Sequence, residues 1–95
     1  MAHGVIHQFA GGTEEQYNAS IAAVHPPNGL PEGQIFHYAG PTKDGWVIVA
    51  VHTSDASWKK FRDETLGPKM AAGIEGGFTA PPTEIEFPVH HHESA

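Results

Sequence analysis

The chain has 95 residues, 39% of them apolar, which is enough for one buried core and excludes a wholly disordered chain. Eleven acidic against five basic side chains give a formal charge of −6 with histidines neutral, which argues against a nucleic-acid or anionic-membrane surface. The absence of cysteine excludes disulfides, thiolate metal sites and cysteine nucleophiles, and no apolar run reaches the about 18 residues of a membrane span.

The start Met1-Ala2-His3-Gly4 carries no basic segment followed by an apolar one, so a single domain over residues 1–95 in the cytoplasm is expected. The run Gly4 to Ala10 is short and β-branched, as a strand should be, and Gly11-Gly12 ends it. Thr13 and Gln16 form a capping-box pattern, with Glu14 and Glu15 suited to the positive end of a helix. Tyr17, Ile21 and Val24 share one helical face, and Pro26 stops the helix near His25. A stiff proline-rich loop over residues 25–33 leads to a second strand over 34–39. Residues 40–45 read as a turn, and Trp46 to Thr53 form the strongest strand, paired with the second as an antiparallel hairpin. Ser54 caps a second helix running to about Leu66, where Gly67-Pro68 should break it before a further turn around Met70 and Ile74. From Thr83 to His91, Ile85, Phe87 and Val89 alternate with Glu84, Glu86 and Pro88, the pattern of a half-buried strand.

The order β-α-β-β-α-β predicts an α+β, ferredoxin-like fold: a four-stranded antiparallel sheet with two helices on one face. The third strand presents Trp46, Ile48 and Ala50 on one side and Val47, Val49 and Val51 on the other. Both sides are apolar, so a homodimer packing through its sheets is expected.

The element order, the strand Gly45-Trp46-Val47-Ile48-Val49-Ala50-Val51 and the helix start Thr53 to Phe61 together resemble the dimeric α/β-barrel superfamily, also called antibiotic-biosynthesis-monooxygenase-like. The segments His7-Gln8-Phe9, His25-Pro26-Pro27 and Pro88-Val89-His90 resemble small actinobacterial-type members of that group. The resemblance spans nearly the whole chain. It implies a pocket between sheet and helices in each subunit, with chemistry ranging from cofactor-free oxygenation to isomerisation, cyclisation and haem degradation. Haem-degrading members place an axial histidine on the second helix. No histidine occurs between Thr53 and Val89 here, which argues against that chemistry.

Eight histidines is a high count for this length, and five precede the His90-His91-His92 run. Pairing Ala39 with Trp46 would set His37 opposite Ile48 and on the same face as His52, while His7 lies on the neighbouring first strand. His7, His37 and His52 are therefore the candidate catalytic residues, gathered on one pocket. An imidazole, with its ordinary pKa of about 6.5, suits general acid–base work on an activated phenol or α-carbonyl carbon. Two other roles stay open: a divalent-metal site and purely structural hydrogen bonding. No tight His-x-x-x-His spacing marks a metal, so no metal or cofactor is assigned. His25 is read as a gate residue, and Tyr17, Tyr38 and Trp46 as substrate-binding aromatics, with the bland alternative that aromatics at such spacing form core. The expected ligand is a small aromatic or polyketide-like molecule. The competing reading is a non-catalytic ligand-binding or structural dimer.

Overall fold

A computed structural model describes residues 1–95. Strands β1 (His3–Ala10), β2 (Gln34–Thr42), β3 (Gly45–His52) and β4 (Thr83–Pro88) form one sheet in the order β2-β3-β1-β4, with every pair antiparallel. Helix α1 (Glu14–Val24) follows β1. A second helical segment follows β3, made of α2 (Asp55–Phe61), a π-turn (Arg62–Leu66) and α3 (Gly67–Ala72). This is the ferredoxin-like α+β arrangement.

The local reasons match the composition. Thr13 accepts from the Gln16 amide while the Gln16 side chain accepts from the Thr13 amide, so two orphan donors at the start of α1 are satisfied reciprocally. Ser54 caps α2 through the Ser57 amide. Strand β3 alternates half-buried and buried residues, with Trp46, Ile48, Ala50 and His52 turned inward. Val5, His7 and Phe9 of β1 lie beside them. Trp58 of α2 packs on His7 and His52, and Tyr17 of α1 packs on Trp46, so both helical segments cover this one face.

Three features differ from the sequence expectation. The hairpin turn shrinks to Lys43-Asp44, because Gly40, Pro41 and Thr42 continue β2 as an edge strand on which a proline is tolerated. Ala39 therefore pairs with Ile48 rather than Trp46, and His37 faces Ala50 rather than Ile48. The shift is by two residues, so His37 keeps its side of the sheet. Gly67-Pro68 does not break the second helix. The Gly67 amide donates to the Arg62 carbonyl five residues back, and this wider turn carries the chain past the proline into α3.

The last strand ends at Pro88, short of His91, and it turns the other way round. Glu84 lies opposite His7 and Glu86 opposite Val5, while Ile85 faces Ile6 and Phe87 faces Gly4. The carboxylates thus flank the helix-covered side, and Ile85 and Phe87 join Ile6, Val47, Val49 and Val51 on the outer side. All six residues of β4 are exposed. Alternation fixes which residues share a face, but not which face meets the helices.

Candidate functional site

The three strand histidines all lie on the inner face, yet they divide between two surroundings. His7 lines a cavity of about 270 Å³ between sheet and helices, walled by Phe9, Ile48, Leu66, Met70, Ile74 and Phe78. Its polar members are few: His7, Glu84, Arg62 and Ser20. A mostly apolar hollow with a small set of converging polar groups is the usual build of a small-molecule site, and this one falls just below the about 300–1,000 Å³ such sites commonly span. The larger groove, about 570 Å³ beside Pro31, Glu32, Ser57 and Lys60, holds no histidine.

His7 is 8% exposed, and its Nε2 is buried without a hydrogen-bond partner. Glu84 Oε2 stands 3.8 Å from that nitrogen, beyond hydrogen-bond reach but close enough to stabilise a positive imidazolium. Burial pulls the His7 pKa down, while Glu84 and then Glu86 oppose the shift. The ring is neutral at pH 7 and has a carboxylate waiting beside it.

His37 and His52 belong to a separate hydrogen-bonded row. Tyr17 Oη donates to His37 Nε2 at 2.7 Å, and His37 Nδ1 donates to Gln34 Oε1 at 2.8 Å. Gln34 Nε2 in turn donates to His52 Nε2 at 3.4 Å. This row requires His37 to carry its proton on Nδ1 and His52 to accept at Nε2. Gln34 is buried at the start of β2, where a bulge between Gln34 and Phe36 sets it opposite His52. His52 has no exposed surface and lies against Trp58 and Phe61 at ring separations of 5.4 and 5.7 Å. Burial, followed by the proximity of His3 and His7, depresses its pKa to about 4. Burial, and then His7, also lowers that of His37.

The remaining sequence candidates separate in the same way. His25 caps the end of α1 and meets His37 edge-on at 4.8 Å. It lies outside the wall of the His7 cavity, so the structure does not place it over that mouth. Its pKa is depressed to about 4, by burial first and then by His37 and His52, so at pH 7 it brings no positive charge to the helix end. Tyr17 and Trp46 pack on one another and on the row, at a 5.3 Å ring separation, as core rather than cavity lining. Tyr38 lies opposite Val49 on the outer face and is 65% exposed, so it is remote from both histidine groups.

Sequence reasoning missed Gln34, Glu84 and Arg62. Arg62 falls in a charged run with Lys59, Lys60, Asp63 and Glu64, the pattern of a solvated helix margin, but the π-turn leaves it half-buried on the cavity wall. The signal for Glu84 was present as its alternation with Ile85, which leaves the facing undecided. Gln34 carries no such signal. Comparison of the chain with protein-family models, curated proteins and solved structures finds no match.

Proposed function

We propose that the protein binds a small, mainly apolar organic molecule between sheet and helices, and that His7 moves a proton on it. The observation carrying this reading is His7 on the wall of the apolar cavity, its Nε2 buried and partnerless with Glu84 beside it. A neutral imidazole takes a proton from an acidic C–H or phenolic O–H, and the nearby carboxylate stabilises the imidazolium that forms. Returning the proton at another atom gives isomerase-like chemistry and needs no cofactor. The resemblance to the antibiotic-biosynthesis-monooxygenase-like superfamily supports the same pocket and an aromatic or polyketide-like ligand.

In this reading His37 and His52 are structural. Each is held through Gln34, and neither lines the cavity. The homodimer belongs to the same proposal. Its support is the outer sheet face, where Ile6, Val47, Val49 and Val51 run continuously into Ile85 and Phe87, which are 48% and 37% exposed.

Ligand-observed NMR with a panel of aromatic ketones and phenols tests the function, followed by deuterium wash-in at the acidic carbon of each binder. Ile74→Trp should fill the cavity and remove binding. His7→Gln should keep binding and lose at least a hundredfold in exchange rate, in line with the usual contribution of general acid–base catalysis. Binding that survives Ile74→Trp, or exchange that survives His7→Gln, defeats the reading.

A further inference from the structure

A second cluster of ligating groups lies apart from the cavity, at the opposite end of β1. His3, Asp55 and Glu86 come from β1, the first residue of α2 and β4, and each offers a donor atom within 4.8 Å of the others. His3 Nε2 is 2.8 Å from Glu86 Oε1 and 3.7 Å from Asp55 Oδ1. Donors held at about 2.1 Å from one ion at tetrahedral angles stand roughly 3.4 Å apart, between those two separations. We propose that these three residues form a binding site for one divalent cation of the zinc type.

The donor chemistry selects the ion class. One imidazole nitrogen with two carboxylate oxygens suits zinc and its first-row neighbours, whereas calcium and magnesium take oxygen ligands throughout. The cluster also has a structural reason to hold its shape. The His3 side chain is only 12% exposed, and the Val89 amide donates to the Ala2 carbonyl, extending the β1–β4 pairing past His3. Lys59 holds Asp55 through Oδ2 at 3.0 Å and leaves Oδ1 turned to His3. Three protein donors leave a fourth tetrahedral position for water or a ligand atom. The site is independent of the proton-transfer reading, which uses neither His3 nor Asp55.

The test is calorimetric titration of the full chain with zinc chloride, in a background of His90→Ala, His91→Ala and His92→Ala that removes the competing imidazoles of the tail. One equivalent of zinc should bind, and cobalt should take the same site with the visible absorption of a tetrahedral ion. His3→Ala, Asp55→Asn and Glu86→Gln should each weaken zinc binding at least tenfold. Thermal melting checks folding, and if His3→Ala does not fold, the two carboxylate variants decide. Absence of one-to-one binding in the tail-substituted chain overturns the proposal. So does a loss smaller than tenfold in any folded variant of the three.

Discussion

His52 and His25 show what burial does to an imidazole in this fold. Each has its pKa depressed to about 4, first by burial and then by neighbouring histidines, against about 6.5 in an unfolded chain. Between those values the unfolded state binds more protons, so stability is fully present above about pH 6.5 and is lost as pH falls towards 4. The melting temperature should therefore drop steadily across this window. His25→Gln, at the less buried of the two positions, should flatten that slope while leaving stability at pH 7.5 nearly unchanged. Trp58 is the other residue on which much depends. It is 1% exposed and meets both His7 and His52, so Trp58→Ala should cost about 3–5 kcal/mol in urea denaturation. That is a large share of the about 5–15 kcal/mol that holds a domain of this kind together.

Among the elements, the π-turn is where a rule of local propensity reverses. Gly→Ala inside a helix normally stabilises by about 1 kcal/mol. At Gly67 an added methyl would stand 2.8 Å from the Arg62 carbonyl oxygen, a backbone atom that moves only if the turn does. Gly67→Ala should destabilise by about 1–3 kcal/mol and lower the melting temperature by several degrees. The same turn explains why the second helix was only partly legible in the sequence. Ser54 announced its start correctly, but Gly67-Pro68 reads as a stop because a π-turn has no compositional signature distinct from a break. The fold was legible because Thr13 and Gln16, the hairpin and the alternation on β3 each state a local preference that the tertiary structure keeps. The site was less so. Parity put His37 and His52 on the inner face, but the reach of Gln34 between them and the facing of Glu84 depend on a bulge and on sheet orientation, which no short window encodes.

For the whole molecule, the helices settle one side of the sheet and leave the other with its valines half-buried. A stable interface needs about 1,200–2,000 Å² of buried area in total, and the face of a four-stranded sheet supplies surface on that scale. Light scattering coupled to size exclusion should return twice the 10.2 kDa chain mass. Val49→Glu, at the middle of the outer face, should return the chain mass alone with its circular dichroism retained.

The inward carboxylates of β4 have a consequence for how this sequence can change over time. Glu84 borders the apolar hollow and Glu86 stands against His3 on the same side of β4, places where leucine or valine would add packing and raise the melting point. A lineage that had lost the use of His7 and His3 would be expected to drift towards those greasier residues. Sturdier and chemically silent descendants would be the mark of a duty once carried and then dropped.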